Sequence, residues 1–170
     1  MARQAAYRQC ETHGATLRSA VSADAAAIAQ ILIDVRSAFM PYAPLMHSAA
    51  EVHSWVAQIL IPSGNTVIAE LSGELVGVMT SARAPTCSWI DQMAVHPSHV
   101  GCGIGSVLLD HAFRVLPRPI RLYTFQANTG SRRFYERRGF RAIQLTDGRA
   151  NEEHCPDVLY EFRDRVQAER

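Results

Sequence analysis

The sequence predicts one α/β domain, a mixed and mostly antiparallel sheet of about six to seven strands with about four helices on its faces, and three observations carry that prediction. Strand-like and helix-like segments alternate in the order β-α-α-β-β-β-α-β-α-β-β. Three consecutive strand patterns joined by short turns imply antiparallel neighbours, whereas the later strands separated by helices imply crossovers. The composition, 48% apolar and 19% charged over 170 residues, belongs to a chain that can bury a core of single-domain size.

Each element has a local reason. Residues 1–14 carry Arg3 and Arg8 but no continuous apolar run, so they read as an N-terminal arm rather than a secretory signal, ahead of a single domain over 15–170. A short strand at 16–20 precedes Ser22, the expected cap of a helix over 23–39 with Ile28, Ile31, Leu32 and Val35 at helical spacing. Pro41 and Pro44 end it, and Ser48 caps a second helix over 49–60 that stops at Pro62-Ser63-Gly64. Strands over 65–71 and 74–82 flank Ser72-Gly73, a two-residue hairpin signal, and a third strand covers 87–95. A glycine-rich segment at 101–105 opens the helix 104–115. A strand at 120–125, a helix at 129–138 and strands at 140–145 and 158–162 complete the chain.

Charge and composition exclude several function classes. Seventeen arginines and no lysine stand against 16 acidic residues, so no global basic field exists to draw in nucleic acid or an anionic membrane. Apolar stretches break well before the roughly 18 residues of a membrane-spanning helix. Cys10, Cys87, Cys102 and Cys155 show no CxxC spacing and the seven histidines no HExxH pattern, which fits reduced thiols in a cytoplasmic protein without a metal site.

The glycine loop carries the first chemical signal. Glycines at alternate positions let a backbone turn tightly and approach a ligand, so successive N–H groups at a helix start can face one anion, a phosphate or pyrophosphate. A glycine-rich turn packed on the sheet would read the same way. A Walker A loop is excluded because no Gly-Lys-Ser/Thr follows, and a dinucleotide fingerprint fails because Ser106 takes the place of its third glycine. A methyltransferase-like GxGxG fits the spacing, but only about 65 residues follow the loop, too few for the rest of a doubly wound sheet.

Two blocks together resemble the GNAT superfamily of acetyl-CoA-dependent N-acetyltransferases. The first is Val100-Gly101-Cys102-Gly103-Ile104-Gly105, preceded by Met93-Ala94-Val95-His96-Pro97, which is similar to the family's (Arg/Gln)-x-x-Gly-x-(Gly/Ala) between strand and helix. Val100 departs from the usual Arg or Gln. The second, Asn128-Thr129-Gly130-Ser131-Arg132-Arg133-Phe134-Tyr135-Glu136-Arg137-Arg138-Gly139-Phe140, resembles N-x-x-(A/S)-x-x-F-Y-E-x-x-G-F and begins 25 residues after Gly103.

The resemblance implies a GNAT fold, coenzyme A as carrier and a set of site residues. The loop from Val100 and Gly101 through Cys102, Gly103, Ile104 and Gly105 to Ser106 would hold the pyrophosphate through backbone amides, so Val100 should weaken rather than abolish binding. The backbone of Met93, Ala94 and Val95 lies on the strand that pairs with the pantetheine arm, chiefly through Met93 and Val95, and Asn128 touches the same arm, although at a helix start its side chain would equally serve as a cap of the backbone amides. Cys102 reads as a spacer at an exposed loop place. Tyr135, seven residues beyond Asn128 and so two helical turns on, is assigned the acid that protonates the departing thiolate.

Attack by an alkylammonium needs a base, and Asp91 is the first choice because a charge inside Trp89-Ile90-Asp91-Gln92-Met93 needs a partner or a task. His96 and Glu70 rank below it. The resemblance implies that the apolar loop 39–47 covers the acceptor, although a simply packed loop reads equally well, and the acidic segment 146–154 is either a solvated hairpin loop or a receiver of a cationic amine. The expected reaction is direct attack by the primary amine of a small molecule or peptide, with a homodimer through exposed strand edges. The rival reading is a non-catalytic acyl-CoA sensor, for which Val100 is the support and Tyr135 the counterargument.

Overall fold

The computed structural model describes residues 14–163, so the N-terminal arm lies almost wholly outside the described residues. Its elements are β1 (Thr16–Ser19), α1 (Ala25–Phe39), α2 (Ala49–Trp55), β2 (Thr66–Leu71), β3 (Glu74–Arg83), β4 (Ser88–Val95), α3 (Ile104–Val115), β5 (Ile120–Phe125), α4 (Thr129–Arg137), β6 (Arg141–Leu145) and β7 (Asp157–Phe162). All seven strands join one sheet in the order β1-β2-β3-β4-β5-β7-β6. Every neighbouring pair is antiparallel except β4 with β5. The hairpin at Ser72-Gly73 forms as expected, with φ of 53° and 81°, the doubly left-handed turn that matches strand twist.

Helices cover the two faces unequally. On one face the apolar stripe of α3 (Ile104, Leu108, Leu109, Ala112) packs with Tyr135 of α4 on Met79, Ile90, Leu122, Val158 and Tyr160. On the other, Ile28 and Ile31 of α1 join Val56 and Leu60 over Ile68, Val78 and Ala94. This second layer contains no residue of β5, β6 or β7, and Tyr123 of β5 is accordingly 51% exposed. This face therefore has no helical layer over β5, although Leu159 and Glu161 of β7 are buried on it.

Two local readings change. Ser22 does not cap α1: Ser22–Asp24 is a 3-10 turn, and the Asp24 carboxylate accepts the Val21 N–H at 2.7 Å and the Arg18 guanidinium at 2.8 and 2.9 Å. A carboxylate that ties a strand to the turn outcompetes a serine hydroxyl that bridges nothing. The helix expected over 49–60 begins at a Ser48 capping box but widens after Trp55 into a π-helical turn, with the Ile61 N–H reaching the Val56 carbonyl. The widening turns both Val56 and Leu60 into the core.

Candidate active site

The parallel pair β4/β5 sets the geometry of the site. These strands are in register only at Ser88 with Ile120 and Trp89 with Arg121, and they diverge from there. The pairing end is fastened by Ser88, whose N–H reaches the Pro119 carbonyl at 2.9 Å and whose hydroxyl donates to the Pro117 carbonyl at 2.8 Å. Beyond it, the amide of His96 bonds the Val76 carbonyl on β3. Because successive residues of a strand present their N–H and C=O groups to opposite sides, Met93 and Val95 turn theirs toward the open gap. Ala94 turns its own toward β3 and buries its side chain against α1, which leaves it out of any pairing across the gap.

One residue of β4 is out of step. Thr80 pairs with Gln92 and Ser81 with Ile90, so Asp91 is the extra residue of a β-bulge beside the gap. Its side chain is exposed, and among the described residues no hydrogen bond or ion pair reaches the carboxylate. The crowded surroundings raise its pKa above the ordinary carboxylate range by desolvation alone. The weaker candidates are occupied: Glu70 is paired with Arg18 at 2.7 Å, and His96 holds Ser98 Oγ at 2.6 Å with Asp34 at 3.8 Å.

The glycine loop stands at the wide end of the gap. Gly101 and Gly103 adopt φ of 86° and 78°, which residues with a Cβ rarely reach, and Gly103 caps α3 in this conformation. The amides of Val100 and Cys102 bond the carbonyls of Pro97 and His99. The first-turn amides of Ile104, Gly105 and Ser106 have no intrahelical acceptor, so they form the part of the loop best placed for an anion. A Cβ on Gly105 would lie 3.3 Å from Phe134 and 3.8 Å from Val95, so the glycine allows the helix start to press between α4 and β4. Val100 is 52% exposed, and its side chain does not enter the cradle's framework. Cys102, by contrast, is buried in the α3 core, which corrects the expectation of an exposed loop thiol. The cradle fits a pyrophosphate.

On the far side of the gap, Asn128 Oδ1 accepts the Ser131 N–H at 3.1 Å and so caps α4, leaving its amide NH2 for another acceptor. Tyr135 is 7% exposed, packed edge-on against Phe134 and Phe140, and burial raises the phenol pKa well above that of free tyrosine. The helix is anchored behind it: Tyr160 donates to Glu136 at 2.6 Å and accepts from Arg132 at 3.3 Å.

Sequence reasoning missed how the acceptor side closes. The last turn of α1 and the loop after it are joined to the loop between β6 and β7, through the ion pair of Arg36 with Glu153 at 2.7 Å and the hydrogen bond between His47 and Glu152 at 3.0 Å. Glu152 and Glu153 are therefore engaged within the protein, and Asp147, the third acidic residue of that segment, pairs with Arg149. The apolar loop does reach the site face, where Tyr42 meets Phe125 edge-on at 6.0 Å, and Trp89 stacks on Tyr123 at 5.8 Å. The apolar character of the loop was visible in the sequence, but neither the stack of Trp89 on Tyr123 nor partners as distant as 36 and 153 leave a local signal.

The chain belongs to the acetyltransferase (GNAT) family, whose model matches residues 32–140, and it is an acetyltransferase of that family. No curated protein sequence matches it. Among solved structures it is similar to the PaiA N-acetyltransferase of Thermoplasma acidophilum in complex with coenzyme A, at 16% identity and a TM-score of 0.71 over 89% of this chain and 99% of that one. A GCN5-related N-acetyltransferase of Rhodopseudomonas palustris matches at 21% and 0.71 over 89% and 96%, and a GNAT acetyltransferase of Bacillus cereus at 18% and 0.69 over 88% and 97%. These likenesses establish the GNAT fold.

Proposed function

We propose that the enzyme transfers the acetyl group of acetyl-CoA to a primary amine by direct attack within a ternary complex. The observation that carries this reading is the partner-free Asp91 carboxylate on a bulge beside a gap whose edge offers the N–H and C=O groups of Met93 and Val95. The pyrophosphate is held by the amides of Ile104, Gly105 and Ser106, with Gly101 and Gly103 shaping the approach. The pantetheine arm pairs with Met93 and Val95 like an added strand and meets the free amide of Asn128.

Asp91 accepts the proton that the acceptor ammonium must lose, and the freed nitrogen bonds the acetyl carbon as the carbon–sulfur bond breaks. Tyr135, kept protonated by burial, donates to the departing sulfur and regains a proton from the acylated nitrogen, which becomes the neutral amide. A small molecule suits the acceptor side better than a sensor role suits the whole, since an undamaged acid and base have no use without turnover.

Calorimetry with acetyl-CoA, beside NAD and S-adenosylmethionine, tests the donor without a known acceptor. Micromolar affinity for acetyl-CoA alone is expected. Heat with S-adenosylmethionine instead, or none with acetyl-CoA, would overturn the reading.

A further inference from the structure

The acceptor side of the gap has a distinct chemistry. Trp89 and Tyr123 stack with ring planes within 8° of parallel, and Phe125, two residues beyond Tyr123, shares its face of β5 and meets Tyr42 edge-on. Tyr123 and Tyr42 are 51% and 40% exposed, so the strip presents ring surface to solvent. It crosses from β4 to β5 on the half of the sheet that no helix covers. Asp91 stands two residues beyond Trp89 on the same strand.

The charges bordering this face are otherwise paired. Arg36 is bound to Glu153 and to the Pro44 carbonyl, Arg121 shares the Glu161 carboxylate with Arg163, and His47 bonds Glu152. A carboxylate brought in by an amino acid would find Arg36 and Arg121 already engaged by carboxylates of the protein, and desolvating it without a partner is costly. The Arg36–Glu153 ion pair and the His47–Glu152 hydrogen bond also tie the end of α1 and the loop after it to the loop before β7. An extended polypeptide crossing the strip at that point would have to part them.

Resting on the transferase reading, we infer that the acceptor is a small arylalkylamine without a carboxylate, its ring against the strip of Trp89, Tyr123, Phe125 and Tyr42 and its ammonium at Asp91. Ring against ring supplies the affinity. The single unpaired negative charge orients the amine toward the thioester.

The test measures thiol release at saturating acetyl-CoA with 2-phenylethylamine, phenylalanine, putrescine and a lysine-containing peptide. 2-Phenylethylamine is expected to exceed putrescine in kcat/KM by about tenfold, the equivalent of one good aromatic contact. Phenylalanine should fall about a hundredfold below it, as expected for a carboxylate left unpaired. Tyr123→Ala and Tyr42→Ala, both at exposed positions, should raise KM for 2-phenylethylamine by about five- to tenfold with kcat nearly unchanged, while leaving acetyl-CoA affinity and the putrescine rate as they were. Preference for phenylalanine, putrescine or the peptide, no acetylation of 2-phenylethylamine, or indifference of both variants would overturn the inference and leave the transferase reading standing. Failure of acetyl-CoA itself to bind would overturn both.

Discussion

Gly77 of β3 lies so close beneath α3 that a β-carbon on it would sit 2.9 Å from Ile104 Cγ2 and 3.2 Å from Leu108 Cδ1. The absent side chain sets the height of the helix start, and with it the position of the amide cradle over the gap. Gly77→Val is therefore expected to cost about 1–3 kcal/mol of stability through overpacking. Thermal denaturation reads that loss, and calorimetry should show weaker acetyl-CoA binding in the same variant. Unchanged values in both would mean that the helix seats itself without the glycine.

Asp91→Asn is expected to lower kcat by about 10²–10⁴ with little effect on donor binding. The wild-type rate should fall on the acid side as Asp91 takes up a proton, at a pH above the ordinary carboxylate range because desolvation raises its pKa. The variant should lack that limb. Stability moves oppositely. A carboxyl group whose pKa is raised on folding holds its proton more tightly when folded, so the ionised form is a burden that is absent in acid and complete above the raised pKa. The variant should thus melt no lower than wild type at neutral pH, and a lower melting point would argue for a structural carboxylate.

Tyr135→Phe keeps the packing against Phe134, Phe140 and Tyr160 and removes one hydroxyl. A rate loss of about a hundredfold or more, with acetyl-CoA affinity nearly intact, is expected for the loss of an acid. Because burial raises this phenol well above the usual tyrosine range, its ionisation should add no alkaline limb below pH 10. Full activity in the variant would reassign the proton donor.

Asp24 binds Arg18 through both carboxylate oxygens and also accepts the Val21 N–H, so Asp24→Ala should cost about 1–2 kcal/mol at pH 7. The Arg18 hydrogen bonds lower the Asp24 pKa. The stabilisation is therefore complete above the unfolded carboxylate pKa and is lost as pH falls through the lowered folded value. Denaturant titrations of both proteins should converge in strong acid. A difference that persisted there would assign the effect to packing.

The elements of the fold were legible because their signals are local. Ser48 with Glu51 forms the capping box that begins α2, Ser72-Gly73 fixes a hairpin, and the stripe from Ile104 to Ala112 repeats at helical spacing. The glycine loop and the segment from Asn128 to Tyr135 were legible for the same reason. What was not legible depends on register or on distant partners. The bulge that exposes Asp91 exists only relative to Thr80 and Ser81 on β3, and Cys102 is buried because α3 sits low on the sheet. The capping contest between Ser22 and Asp24 is decided by Arg18, six residues away on another element. The clasp of Arg36 on Glu153 joins opposite ends of the chain.

The meeting of β4 and β5 at two residue pairs has a mechanical consequence. Within the sheet, the four strands before the seam and the three after it are like two stiff plates riveted at one corner by Ser88, with their compliance concentrated where the amides of Met93 and Val95 stand. A ligand that bonds both plates acts as a brace. Its grip would be felt as stiffness across the whole sheet.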